Sequence, residues 1–451
     1  MTKKKLFYGI VLLLALILAG AALYINPLMP IITGYAAKNL CSNVFVSGRD
    51  AREIEEIDLN FSFIKFTKNK VDFDEQSVTS RFLWSRSKAI HREGFGATLI
   101  RDVSEEELRE AVYAVDTNPG YRPDTTAWPL GDVVPDTLDT GIDKPAVTEI
   151  ARKLMSDNAY GGIPFAFVVL HKGMPVAEAY RSGLGKDTRF LSWSVAKSFT
   201  NAITGVLVGM GKMDISEPAG FEEWKNDERS KITVNDLLQM QSGLEWNEDY
   251  GSRSDVNLML FDKGDMSDFA LTSPMEHQPG TVWKYSSGTA NILTGLIMNQ
   301  FDNDTSCYAF VHDKFFEKIG ITDAVFEVDA SGTLVGSSYL YATARDYARF
   351  GLLYLNDGMF CGERILPEGW VEYTRTPASA SGGRYGALFW LNRNRDYPSA
   401  PEDMFSCQGH DGQMIYILPS NDLVVVVLGF SQRPDNTIDF DTLLGDILKT
   451  I

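Results

Sequence analysis

Ser194-Val195-Ala196-Lys197-Ser198-Phe199-Thr200-Asn201-Ala202-Ile203, running on through Val206-Leu207-Val208-Gly209-Met210 to Gly211, is the stretch on which the reading of this chain turns. Val195, Phe199, Ile203, Val206 and Leu207 recur at helical spacing, and Gly211 ends the run. The helix opens on an S-x-x-K pattern. Residues three apart share a helix face, so the Lys197 ammonium falls beside the Ser194 hydroxyl. A serine hydroxyl becomes a useful nucleophile when a neighbour takes its proton, and a lysine serves once burial lowers its pKa. The start of a helix adds N–H groups and a positive dipole end, which stabilise developing negative charge. The rival reading of Ser194 is a helix-capping serine. The same pattern recurs at Ser62-Phe63-Ile64-Lys65 and Ser85-Arg86-Ser87-Lys88. The first reads as an alternating, strand-like segment, where i and i+3 point to opposite faces. The second is a charged stretch with no apolar helix after it. Ser194 is singled out by the long helix that follows it.

Working outward, a helix is expected near Lys144–Asn158. A β-hairpin follows, from Phe165–Leu170 through the turn at Lys172-Gly173 to Pro175–Tyr180. Thr233-Val234-Asn235-Asp236 resembles a capping box opening a second helix. Further helices are expected over Ala290–Phe301, Ala342–Tyr354 and Ile438–Leu448. Met414–Leu418 and Leu423–Leu428, joined by Pro419-Ser420-Asn421-Asp422, read as a second strong hairpin. Strands at both ends of the body with helices between them predict an α+β fold. One antiparallel sheet is flanked by helices, the two ends of the body meeting in it, with a mostly helical subdomain over roughly 215–340. Ser104-Glu105-Glu106-Glu107 reads as a capped helix start inside an otherwise polar, irregular region. Residues 38–139 are expected to form an extension lying on the catalytic body as a lid or belt, and 140–451 the body itself.

The chain has 451 residues, 44% hydrophobic and 12% aromatic, which suffices for a real core and rules out disorder throughout. Lys+Arg number 42 against 60 Asp+Glu, a net charge of −18, which argues against a nucleic-acid partner and against basic-patch docking on anionic membranes. Four cysteines exclude a disulfide scaffold, and five histidines without H-E-x-x-H argue against a metalloprotease. Cys41, Cys307, Cys361 and Cys407 are read either as paired or as isolated thiols. Lys3, Lys4 and Lys5 precede an apolar run from Leu6 to Ile25, with no further charge until Lys38. Such a run spans a bilayer, and the lysines hold its start in the cytoplasm. Residues 1–37 are therefore expected to be an N-terminal transmembrane anchor, with the body periplasmic or extracellular. Secretion after cleavage at Ala19-Gly20-Ala21 is the alternative.

Two further motifs give the helix context. Tyr285-Ser286-Ser287 stands just before a helix, and His410-Asp411-Gly412 immediately precedes the last hairpin. In this order, S-x-x-K, Y-x-[NS] and [KH]-x-G resemble the serine β-lactamase and penicillin-binding-protein superfamily. The resemblance is greatest to its class C-like branch of esterases and 6-aminohexanoate-dimer hydrolase, over roughly residues 140–451. It implies a β-lactamase/transpeptidase-like fold and acyl transfer. Ser194 is the nucleophile, and Lys197 and Tyr285 relay the proton. The N–H groups of Ser194 and Gln413 form the oxyanion hole, and Ser287, His410 and Gly412 line the site. Ser287 also reads as a helix N-cap, and Tyr250 as either a substrate contact or a surface aromatic. Serine stands here where true β-lactamases usually carry asparagine, and His410 where many relatives carry lysine. Imidazole holds a carboxylate less firmly than an ammonium. The resemblance therefore points to small ester or amide substrates rather than β-lactams, with no metal or organic cofactor. A peptidoglycan or D-amino-acid peptidase, a weak β-lactamase and a non-catalytic relative remain the alternatives. The oligomeric state is left open.

Overall fold

The computed structural model describes residues 4, 7–8, 10–13, 20, 25–135, 140–431 and 436–451. Much of the apolar run Leu6–Ile25, including most of the alternative cleavage site, therefore lies outside the described residues. Among those described, no helix is long and apolar enough to cross a membrane.

Past a 3-10 helix at Asn26–Leu28, a helix over Met29–Phe45 is buried along nearly its whole length. It lies between a helix over Asp255–Asp262 and an antiparallel sheet of β1 (Lys68–Asp72), β2 (Ser77–Phe82), β3 (Ser85–Arg92) and β4 (Gly96–Leu99). Gly34 permits this crossing, because a Cβ there would stand 2.4 Å from the Phe261 carbonyl oxygen. Lys38, 3% exposed, pairs with the fully buried Glu327. Glu327 also accepts from Ser42 Oγ at 2.9 Å and from the Ala97 N–H at 2.7 Å. The boundary expected at 37/38 thus falls inside a helix. Lys38, the first charge after the apolar run, is a buried partner of Glu327 in the 140–451 body. Within 38–139, expected as a lid or belt packed on the body, β2–β4 contribute Val78, Ala89, Ala97 and Leu99 to the core of that body. Ser62–Lys65, expected to be strand-like, is instead a turn running into a 3-10 helix at Ile64–Phe66, and Ser85–Lys88 lies in β3. The helix start at Ser104 is present, with a full capping box to Glu107.

A helix over Lys144–Ser156 leads to the hairpin β5 (Ile163–His171) and β6 (Met174–Tyr180), then to β7 (Arg189–Leu191). The helix of the S-x-x-K motif runs over Val195–Gly209. Shorter helices follow, among them Val234–Leu238, opened by the Thr233–Asp236 capping box, and Ser287–Met298. β8 (Val325–Phe326) and β9 (Leu340–Thr343) pair with β7 in the order β7-β9-β8. Beyond the Ala344–Leu355 helix come the ribbon β10 (Met359–Phe360) and β11 (Glu363–Arg364). β12 (Trp390–Leu391), β13 (Phe405–Gly409), β14 (Gln413–Leu418), β15 (Leu423–Phe430) and a last helix over Phe440–Leu448 complete the body.

The main sheet has the order β12-β13-β14-β15-β5-β6, antiparallel throughout, so the start and end of the body do meet in it. Its middle strand, Leu423-Val424-Val425-Val426-Val427-Leu428-Gly429-Phe430, is buried at every position. Alternation explains this. Val424, Val426 and Leu428 enter the core shared with the Val195–Gly209 and Ala344–Leu355 helices. Leu423, Val425 and Val427 pack under the Lys144–Ser156 and Phe440–Leu448 helices. A strand covered on both faces loses the polar half of its pattern. All four cysteines are free thiols, Cys361 exposed and the others buried.

Candidate active site

β7 delivers the chain to Trp193, which is buried and held at φ +44°. A bulky residue in that region is rare and needs packing to hold it there. Its ring is gripped by Tyr35, Tyr250, Tyr339 and His410. The bend puts Ser194 at the N-cap position of the next helix. Its side chain makes no capping bond there. Instead the hydroxyl accepts from Lys197 Nζ at 2.9 Å. The capping explanation for Ser194 therefore fails, and the i, i+3 juxtaposition read from the sequence is present.

Lys197 is 1% exposed and donates three 2.9 Å bonds, to Ser194 Oγ, Ser287 Oγ and the Ser337 carbonyl. Burial drives its pKa from the ordinary 10.5 down to about 8, with the Glu248 carboxylate pulling the other way. Glu248 accepts from the Ser287 hydroxyl, the Ser287 N–H (2.8 Å) and Trp246 Nε1 (2.5 Å). Ser287 thus links an ammonium to a carboxylate through one hydroxyl. The N-cap of its helix is Ser286, which accepts from the Thr289 N–H at 2.9 Å. The capping duty expected for Ser287 belongs to its neighbour, and the Ser287 side chain is left to the site.

The Tyr285 ring packs between Tyr385 and Trp390, with Lys197 Nζ 4.9 Å from its centroid. Burial, and after it Glu248, push its phenol well above the usual value, while the Ser194 hydroxyl opposes them. His410 lies flat on Tyr250, ring centroids 4.5 Å apart at 19°, and edge-on to Trp193. Tyr250 is therefore a half-buried wall of the site rather than a surface aromatic. Its hydroxyl is buried next to that of Ser287. His410 Nε2 is 3.3 Å from Asp411 Oδ1. Burial raises the Asp411 carboxyl, with His410 opposing. Gly412 turns the chain into β14 at φ +87°, and a Cβ there would come 2.8 Å from that of Ser431.

Ser194, Tyr250, Tyr285, His410 and Gly412 line one cleft of about 580 Å³, together with Glu248, Phe61 and Trp390. That volume suits a small organic ligand. Lys197 and Ser287 lie beneath the cleft lining. Gln413 faces elsewhere: its side-chain amide clamps both the N–H and the carbonyl of Gly429. The role the resemblance implies is one for its backbone N–H, at the start of β14. Sequence reasoning missed Glu248, two residues before Tyr250. It also missed Phe61, which the N-terminal region contributes. Neither belongs to a motif, so no sequence signal marked them. Among the described residues, His312, Asp313 and Glu317 bring ligand-type atoms within 4.8 Å of one another, but none of the three lines the cleft.

An S-x-x-K helix start beside an antiparallel sheet, with a tyrosine motif leading into a second helix and a histidine-glycine motif in the connection between two inner strands of the sheet, defines the serine β-lactamase and penicillin-binding-protein class. Within it, the chain belongs to the Beta-lactamase family, whose model matches residues 147–444. It is similar to the 6-aminohexanoate-dimer hydrolase of Paenarthrobacter ureafaciens, 26% identical over 299 residues, covering 60% of this chain and 73% of that protein. Two solved structures share the fold. EstCE1, a hydrolase with promiscuous acyltransferase activity, has a TM-score of 0.55 at 11% identity over 67% of this chain and 98% of its own. A class C β-lactamase has a TM-score of 0.53 at 14% identity, over 71% and 99%. The buried N-terminal helix and the β1–β4 sheet precede the matched residues.

Proposed function

We propose that the protein is a serine hydrolase of small esters or amides that works through an acyl-enzyme on Ser194. The observation that carries this reading is the triple hydrogen bonding of a fully buried Lys197. An ammonium whose pKa is depressed to about 8 is partly neutral near pH 7–8 and available as a base. Lys197 takes the Ser194 proton as the hydroxyl attacks the carbonyl carbon. Tyr285, whose phenol burial keeps protonated, donates to the departing alcohol or amine. Lys197, linked through Ser287 to Glu248, restores the protonation state between turnovers. The N–H groups of Ser194 and Gln413 receive the oxyanion, and a water then releases the acyl group. The Tyr250 hydroxyl, beside Ser287 at the cleft, supplies a donor to the substrate. His410, stacked on that ring, sets its angle. The similarity to a 6-aminohexanoate-dimer hydrolase supports this substrate class.

We further read Leu6–Ile25 as a membrane anchor, with the body on the extracytoplasmic side, from its length and the preceding lysines. The test is a fluorophosphonate probe with intact-mass readout. One adduct is expected on the native chain and none on Ser194→Ala. Turnover of aryl esters, short amides, D-Ala-D-Ala peptides and β-lactams then ranks the substrate classes. A folded native chain that forms no adduct and turns over nothing would sink the enzyme reading in favour of a binding relative.

A further inference from the structure

One end of the N-terminal sheet differs from the rest of the surface. There β1 begins, β2 ends and β3 begins, as the pairs Lys68↔Arg81 and Phe82↔Ser85 show. Phe63, Phe66, Leu83 and Trp84 gather at this end, 57%, 58%, 69% and 58% exposed. They are neighbours: Phe63 packs on Phe82 with centroids 6.4 Å apart, and Leu83-Trp84 is the turn joining β2 to β3. Single exposed apolar side chains are ordinary, but a cluster of aromatics marks something that covers it.

Charge is the second observation. Lys65, Lys68, Arg81 and Arg86 are exposed around the same end, and none forms an ion pair with a described residue. On a chain of net charge −18, this end is locally cationic. The third observation is where the chain enters. Trp84 Nε1 donates to the Asn26 side chain at 3.0 Å. Thr33, near the start of the Met29–Phe45 helix, bonds Ser85 and Ser87 at 3.1 and 2.7 Å. The apolar run ending at Ile25 therefore reaches the body at the aromatic, cationic end.

We propose that this end of the N-terminal sheet seats on the surface of an anionic lipid bilayer. Phe63, Phe66, Leu83 and Trp84 enter the headgroup region, and Lys65, Lys68, Arg81 and Arg86 face the lipid charges. Aromatic side chains favour that boundary, and each surface cation adds attraction to anionic headgroups. The proposal rests on reading Leu6–Ile25 as the anchor and adds a fixed face of the body to it. It also corrects the inference from overall charge, since the acidic surplus lies elsewhere on the chain.

The test uses the full chain in a Cys361→Ser background, which removes the exposed thiol. An environment-sensitive fluorophore is placed at Leu83→Cys or, as control, at Met210→Cys, an exposed apolar position at the end of the Val195–Gly209 helix. Vesicles contain phosphatidylethanolamine and phosphatidylglycerol, with or without a doxyl-lipid quencher. The expected result is flotation with the vesicles, a severalfold rise in emission at position 83 with quenching by doxyl lipid, and neither change at position 210. Lys65→Glu combined with Arg81→Glu is expected to weaken the quenching at 83. Flotation with position 83 still in water would overturn the seating and leave the anchor standing. Failure to float would overturn the anchor and the proposal with it. Shielding of position 83 that appears in vesicle-free detergent and grows with protein concentration would assign the patch to a second copy of the chain instead.

Discussion

Glu248→Gln is expected to move the pH–rate profile toward acid while keeping its shape. In the native site the Lys197 ammonium and the Glu248 carboxylate share the Ser287 hydroxyl. With hydrogen bonds of ordinary length this sets the two charges about 5 Å apart. At an effective dielectric of ~20 such a pair is coupled by about 3 kcal/mol, or roughly two pH units in the lysine's titration. Water reaching the half-buried Glu248 from the cleft reduces this toward about one pH unit. The sign follows from the charges. Removing the carboxylate destabilises the ammonium, so the Lys197 pKa falls from its native value of about 8. Geometry is retained, because the glutamine carbonyl takes the Ser287 and Trp246 N–H groups while its amide donates to the Ser287 hydroxyl. The assay is kcat/KM for an uncharged aryl ester from about pH 5.5 to 9.5, corrected for spontaneous hydrolysis. The native rising limb is expected to centre near 8, and the variant limb about one to two pH units lower, with a reduced plateau because the base is weaker. A limb that stays in place, or moves to higher pH, would refute the assignment of that limb to Lys197.

Tyr285→Phe is expected to slow amide hydrolysis by about 10²–10⁴-fold and aryl-ester hydrolysis much less, since an aryloxide leaves without a proton. Steady-state kinetics on a matched amide and ester pair reads the difference. Ser287→Ala breaks the link between Lys197 and Glu248, and kcat is expected to fall about 10–100-fold while the Ser286 cap keeps thermal stability near native. Glu327→Ala strands the Lys38 ammonium in the core, and a urea titration is expected to show a loss of about 3–5 kcal/mol. Gly412→Ala strains a φ of +87° and drives a methyl against Ser431, so activity and melting temperature should drop together.

The parts of this fold that were legible in the sequence are those whose pattern is local. The Val195–Gly209 helix and the hairpin of β14 and β15 announce themselves by periodicity and turn residues. The contact between Ser194 and Lys197 follows from helix geometry alone. Tyr285 and His410 came from motif order, which stands in for contacts that spacing does not give. The Met29–Phe45 helix was not legible because it is buried on all sides and so carries no amphipathic stripe. Lys38 then looked like the end of an apolar segment, since its partner Glu327 lies far away in sequence. Glu248 was hidden for the same reason: its meaning comes from Ser287 and Trp246, which only the fold brings to it. β1, with the sequence Lys-Asn-Lys-Val-Asp, sits at a sheet edge with polar residues on both faces, and nothing in its pattern distinguishes it from a loop.

The placement of β15 has a consequence for how the chain is made. It pairs with β5, from His171↔Leu423 to Ile163↔Phe430, across more than half of the polypeptide. During synthesis β5 and the helices after it must wait, with one sheet edge open, until the last hairpin emerges. A run of four valines flanked by leucines, a pattern prone to self-association, is made after β5 and β14, its two neighbours in the sheet. By then both neighbouring strands exist to receive it, so it spends little time exposed. Had the same strand been encoded early, it would have passed most of the synthesis as a bare apolar edge open to other chains.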